Sequence, residues 1–175
     1  MRIRTAAAGS AVFLVIAPGT VAGLAPWWLT GWQAGTPYPL ALRASGAVLL
    51  AIGVLALVHA FVRFVIEGAG TPAPAAPTQR LVIGGLYRYV RNPMYLAVLA
   101  VIVGQALLLS RPVLLTYAAA VGAAVGAFAR WYEEPTLARR HGAQYQAYRQ
   151  QVPAWWPRRP RRPRTGKKLN SKLGQ

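Results

Sequence analysis

Long apolar runs separated by short polar clusters organise this chain. No charged side chain occurs from Thr5 to Leu42, from Ala44 to Val62, from Asn92 to Ser110 or from Pro112 to Ala129. Each run reaches or approaches the roughly 20 residues with which a helix spans a bilayer. The pattern predicts an all-α integral membrane fold with about four transmembrane helices, near 8–30, 41–65, 94–110 and 112–132. The last two are short and close together, as in a tight hairpin. Beyond them, Pro135 suits the first turn of a further helix. Leu137, His141, Tyr145, Tyr148 and Val152 then recur at helical spacing, predicting an amphipathic helix that ends before Pro153. Between the second and third runs, EGAGTPAPAAPTQRLVIGGLYRYVRNP is too rich in Gly and Pro for a continuous helix through 68–77.

The flanks of the runs set the orientation. Arg2 and Arg4 before an apolar stretch, with Ala22-Gly23-Leu24-Ala25 downstream, have the outline of a signal peptide. Pro26 just after that point, and the interfacial Trp27, Trp28 and Trp32, favour a retained span instead. Lys and Arg concentrate at the N-terminus, in the 2–3 loop (Arg80, Arg88, Arg91) and at the C-terminus, while 31–40 has none. All three basic regions are therefore expected on the cytoplasmic side of a multi-pass protein.

A net charge of +17 would suit a nucleic-acid binder, but eight of the Lys and Arg lie in Arg158–Lys172 without periodicity. That segment reads as a basic, disordered tail (158–175) lying against anionic lipid, behind a single domain of 1–157, with no nucleic-acid partner. The chain has no Cys, no Asp and two His without ligand spacing to each other. Thiol catalysis, Ser-His-Asp triads and a metal site are excluded or disfavoured accordingly.

The three carboxylates, Glu67, Glu133 and Glu134, all fall at ends of apolar runs. Acids at such depths are candidates for function; the plainer alternative is solvation with pairing to Arg130 or Arg139. For Glu67 the two readings balance, and for the adjacent Glu133 and Glu134 function is favoured. Gly68 and Gly70 allow a backbone to approach a ligand closely, although a helix-ending turn explains them as well. In GGLYRYVRNPMY, Asn92 is a natural N-cap and Pro93 a natural first residue for the third helix. The free N–H groups of a helix N-terminus attract anions, and Arg88 and Arg91 add charge there. Tyr87, Tyr89 and Tyr95 make the same stretch aromatic.

GLYRYVRNPMYL, a short hairpin and then YEEPTLARRHGAQYQAYRQQVP, in that order and spacing, resemble the integral-membrane methyltransferases. That group includes isoprenylcysteine carboxyl methyltransferases and phospholipid N-methyltransferases. EGAGTPAPAAPTQRLVIGGLYR also resembles their bacterial members, and the similarity covers about 45–157. It implies an S-adenosylmethionine-dependent enzyme whose cofactor pocket opens to the cytoplasm and whose lipophilic acceptor comes from the bilayer. The family's arginine–(histidine or asparagine)–proline–x–tyrosine element falls on Arg91, Asn92, Pro93 and Tyr95. Its paired glutamates fall on Glu133 and Glu134, and its Gly-x-Gly on Gly68 and Gly70. Asn92 stands where carboxyl methyltransferases commonly have histidine, as in phospholipid-type members.

On this basis Glu133 and Glu134 are expected to hold the cofactor's ammonium or ribose hydroxyls. Arg91 and the helix start at Asn92-Pro93 are expected to face a carboxylate or the acceptor's anionic group. Tyr87, Tyr95, Tyr145 and Tyr148 are expected to frame the adenine and methyl end. Arg91, Asn92 and Tyr95 are the catalytic candidates. A membrane reductase using NADPH and a non-enzymatic membrane scaffold are the alternatives. Gly122 and Gly126 permit a close contact between the last two helices of the hairpin.

Overall fold

The computed structural model describes residues 12–13, 16–68 and 81–158. Its chain is helical among those residues, without strands. A helical stretch at 16–19 runs into a π-turn at Thr20–Leu24 and then α1, Ala25–Thr30, which Gly31 ends in the left-handed conformation at φ 59°. α2 is Leu40–Gly68, α3 Pro93–Leu108, α4 Val113–Phe128 and α5 Glu134–Gln151. Leu40–Arg63 and a helical segment beginning at Val113 are long and apolar enough to cross a membrane, and α3 is apolar but shorter. The predicted first span, 8–30, lies only partly within the described residues.

The exposure pattern of α2 is that of a helix facing hydrocarbon. Ile52, Leu55, Val58 and Val62 point outward and are exposed, while Leu57, Ala60 and Phe61 are buried. α3 supplies most of the core, through Ala97, Val98, Val101, Ile102 and Ala106, with Leu114 and Ala118 of α4 against it.

α2 and α3 run antiparallel, and their contact is set by glycine. A Cβ on Gly46 would lie 2.6 Å from the Leu108 nitrogen, and one on Gly104 would lie 2.6 Å from the Leu50 nitrogen. Lipid offers no hydrophobic drive for helices to associate, so such backbone contact carries the packing. The close contact was expected instead at Gly122 and Gly126. Gly122 meets only Leu99 at 3.6 Å, and a Cβ on Gly126 would have nothing within 4 Å. Gly104→Val should therefore lower the melting temperature in detergent strongly, overpacking costing typically about 1–3 kcal/mol and more against backbone. Gly126→Ala should be neutral or stabilising by up to about 1 kcal/mol. Equal melting of the two variants would refute this assignment of the contact.

The π-turn near the N-terminus leaves carbonyls that need donors, and in a bilayer these must come from the protein. Gln105 of α3 donates through Nε2 to the Ala22 carbonyl at 2.7 Å, and Tyr117 of α4 donates to the Val21 carbonyl at 2.8 Å. The same Gln105 accepts from Trp32 Nε1 at 3.2 Å. At this end of the bundle, the turn between α3 and α4 is tied to the 31–39 connection. Gly35 N–H donates to the Leu109 carbonyl, Tyr38 N–H to Ser110 Oγ and Arg111 Nε to the Gln33 carbonyl.

At the opposite end the helices do not stop where the sequence pattern stops them. α4 was expected to end near 132, before a separate amphipathic helix. Instead a π-turn at Ala129–Glu133 carries it directly into α5, with Pro135 in the first turn. Proline has no N–H to give to the i−4 ladder, and it sits directly after the π-turn, where that ladder is already interrupted. α5 is kinked at Gly142 (φ 48°, ψ −124°), a conformation that suits a residue without a Cβ.

Candidate functional site

The site is assembled where the chain returns from α2 to α3. Glu67, near the end of α2, pairs with Arg63 at 2.9 Å and accepts the Gly84 N–H at 2.8 Å. A Cβ on Gly84 would collide with the Glu67 carboxylate. The next residue, Gly85, has φ +56°, and a Cβ there would lie 2.5 Å from His59 Nε2. The glycine pair thus lets the chain pass over α2 and enter a short 3₁₀ turn, Gly85–Arg88. Glu67, for which structural and functional readings balanced, has structural partners on both sides. The Gly84-Gly85 pair was the available signal for this crossing, and it was not singled out.

Arg91 lies at the centre of the polar cluster. One of its terminal nitrogens, Nη1, is 2.9 Å from Glu134 Oε1 and donates to the Tyr145 hydroxyl at 3.0 Å. Its Nε is buried without a hydrogen-bond partner. Arg130 and Arg149 approach the other Glu134 oxygen at 3.8 and 3.9 Å. Glu134 therefore stands among three cations.

Glu133 turns elsewhere, as adjacent helical residues must, being about 100° apart around the axis. It accepts a 2.8 Å hydrogen bond from the Tyr95 hydroxyl, in the first turn of α3. It lies beyond the apolar α4, yet burial pushes its carboxyl above the ordinary carboxylate value. The Tyr95 hydrogen bond opposes that shift, and the neighbouring Glu134 charge adds to it. The two glutamates are adjacent in sequence and differ in kind: one is an ion-pair partner, the other a half-buried carboxylate held by a phenol.

The tyrosines close the cluster. Tyr148 donates to the Tyr87 carbonyl at 2.7 Å, and its ring lies 6.5 Å from that of Tyr145. Tyr87 and Tyr145 are buried, and burial is the largest cause raising the pKa of both hydroxyls. Arg88 points to solvent rather than into the cluster.

A segment after α5 straps the site. Arg91 N–H donates to the Pro153 carbonyl at 2.9 Å, and Arg158 N–H to the Tyr89 carbonyl at 3.0 Å. The Trp155 ring stacks on Tyr95 at 6.2 Å. Asn92 was expected to cap α3 with its side chain. It occupies the N-cap position, but its Nδ2 donates to the Ala154 carbonyl at 3.2 Å and makes no cap. As a donor the amide satisfies a strap carbonyl, leaving the α3 N-terminus without a side-chain cap. Pro93 begins α3 as expected. This strap was not legible as a contact: its residues are remote in sequence, and backbone pairing leaves no side-chain pattern.

Of the candidate residues, the fold brings Tyr87, Arg91, Asn92, Pro93, Tyr95, Glu133, Glu134, Tyr145 and Tyr148 to one end of the helices, linked by the bonds above. Gly68 ends α2. Gly70 lies outside the described residues.

The cluster can hold a zwitterion: a carboxylate for an ammonium group, a guanidinium with an unfilled buried donor for a carboxylate, and aromatic faces beside them. No curated protein and no solved structure matches the chain. Residues 41–144 match the model of the phospholipid methyltransferase family. That stretch is more than half of the sequence and contains most of the site, including both glutamates. Membrane-lipid methylation is what this family's members carry out, and the apolar helices of this chain place it in a membrane. The chain belongs to the phospholipid methyltransferase family.

Proposed function

We propose that the protein transfers a methyl group from S-adenosylmethionine to the amine of a phospholipid, at the membrane face where Arg91, Tyr95, Glu133 and Glu134 meet. The observation that carries this reading is the Arg91–Glu134 pair with its unfilled Arg91 Nε. An amino-acid moiety fits such a pair by insertion, its ammonium meeting Glu134 and its carboxylate meeting Arg91. Bound there, the cofactor would supply an electrophilic methyl on a sulfonium.

The chain's own residues then have to orient, exclude water and take a proton. Orientation comes from the strap over Arg91 and Asn92 and from the Tyr95–Trp155 stack, and holding two reactants aligned carries much of such a displacement. Tyr145 and Tyr148 present aromatic faces that suit a cation. An ammonium acceptor must lose a proton before its nitrogen attacks. Glu133 would accept that proton, freeing the nitrogen lone pair for the methyl group the cofactor would supply. A buried carboxylate with a raised pKa is a better base than an ordinary one. Asn92, in place of histidine, supports an amine acceptor over an isoprenylcysteine carboxylate. In this reading four spans put the N-terminus, the 2–3 loop and the C-terminus in the cytoplasm, which supplies the soluble cofactor.

Calorimetric titration of the detergent-purified chain with S-adenosylhomocysteine, with NADPH in parallel, tests the cofactor. Saturable binding of the first alone is expected, and binding of NADPH alone would replace this reading with a reductase. Labelled methyl incorporation into phosphatidylethanolamine vesicles tests the acceptor. Methyl-ester formation on a prenylated cysteine carboxylate, with none on the lipid amine, would overturn the amine assignment.

A further inference from the structure

An apolar groove of about 460 Å³ runs between α2 and α3, and of the clustered site residues Pro93 alone lines it. Its walls include Ile52 and Ala56 of α2, and Leu96 and Ala100 of α3; Tyr89 and Arg158 stand at its polar end. The size falls within the roughly 300–1,000 Å³ typical of small-ligand sites. Tyr95 leaves α3 on another face: at about 100° per residue it points roughly 100° from Leu96, roughly 140° from Ala100 and roughly 150° from the groove's midline. The groove is thus separated from the Tyr95–Glu133 bond by the body of the helix.

We propose that this groove binds an anionic phospholipid, one acyl chain lying between α2 and α3 and the phosphate meeting the Arg158 guanidinium. Two observations select this occupant. The walls are apolar along helix faces whose neighbouring side chains, Ile52 and Leu55 among them, are exposed as in a bilayer-facing surface. A chain from the surrounding lipid therefore enters without crossing water. Arg158, the single cation among the described residues that line the groove, begins the run of eight Lys and Arg that ends at Lys172. Basic residues near a membrane surface favour anionic headgroups.

The position gives this lipid a consequence. The Arg158 N–H is bonded to the Tyr89 carbonyl, and Tyr89 lines the same groove. A headgroup bound at Arg158 braces the strap against the 89–92 segment, which positions Arg91 and Asn92. The lipid is therefore a stabiliser of the site and not its acceptor.

Native mass spectrometry of the full chain in detergent tests this, titrating phosphatidylglycerol, phosphatidylcholine and phosphatidylethanolamine of identical chains. One phosphatidylglycerol should bind about tenfold more tightly than either zwitterionic lipid, because all three carry the phosphate but only the zwitterions bring an ammonium that opposes Arg158. Arg158→Ala should remove that preference, whereas Arg164→Ala should keep most of it. Ala100→Phe, which fills the groove, should weaken all three lipids. Leu96→Trp fills it from an adjacent turn and serves if Ala100→Phe does not fold. Equal binding of the three lipids by the parent chain overturns the proposal, as does an undiminished preference in Arg158→Ala. Full affinity in a folded groove-filling variant overturns it too. Tightest binding of phosphatidylethanolamine also overturns it and makes the groove an acceptor site. None of these readouts depends on methyl transfer.

Discussion

Glu134→Ala should bind S-adenosylhomocysteine roughly a hundredfold more weakly than the parent chain, the largest loss expected of any single truncation in the cluster. A hydrogen bond to a charged group contributes about 1.5–3 kcal/mol, and about 1.4 kcal/mol is a factor of ten. Losing the ammonium's partner accounts for most of the drop. The remainder comes from Arg91, whose side chain is only 12% exposed and would be left with Tyr145 alone. Truncating one member of a buried pair costs about 3–5 kcal/mol at the extreme, because a charge remains behind. The variant should therefore also melt lower. Arg91→Lys separates the two effects. It keeps the charge beside Glu134 but loses the planar fork, so its stability should fall less than its affinity. Calorimetry and melting on both variants check this. Unchanged affinity in a folded Glu134→Ala would remove Glu134 from the cofactor site.

Much of this site was legible because the chain has so few acids, three in all. Acids are rare enough here that two adjacent ones marked a place, and Arg91-Asn92-Pro93-x-Tyr95 marked another. Their meeting was expected from resemblance, while the pairing itself was not derivable: which glutamate takes the arginine depends on the helical phase at residue 133. That phase is set by the π-turn at Ala129–Glu133, and one extra residue in a helical turn leaves no trace in hydrophobic periodicity. The same limit hid the other π-turn at Thr20–Leu24 and with it the roles of Gln105 and Tyr117. Apolar runs fixed where α2, α3 and α4 lie to within a few residues, since hydrophobicity over a long window is insensitive to local backbone. The α2–α3 contact escaped because small residues occur throughout the chain. Choosing Gly46 and Gly104 over Gly122 and Gly126 requires knowing which faces meet. Asn92 illustrates a further limit. Its capping propensity was read correctly as a position, yet a remote carbonyl at Ala154 engaged the side chain.

Glu133→Gln should reduce the rate of methyl transfer to a lipid amine by about 10²–10⁴-fold, the range for removing a general base, while S-adenosylhomocysteine affinity changes far less. The amide oxygen can still accept from Tyr95, so the geometry at 2.8 Å is preserved and only the proton acceptor is lost. In the parent chain activity should fall as pH drops through the raised Glu133 pKa, above the ordinary carboxylate range, and this limb should vanish in the variant. Stability carries the opposite sign. A carboxyl whose folded pKa is raised binds its proton more tightly folded than unfolded. Its contribution is fully present below the unfolded pKa and is lost as pH rises through the folded one. Glu133 therefore destabilises the fold at neutral pH. Glu133→Gln should melt higher than the parent there, with the gap closing in acid. A variant that is less active and more stable at neutral pH is the signature of a carboxylate kept buried for its basicity. If Glu133 instead served only to hold Tyr95, the isosteric amide would leave the rate nearly unchanged and the acid limb in place. Tyr95→Phe would then be the more damaging substitution.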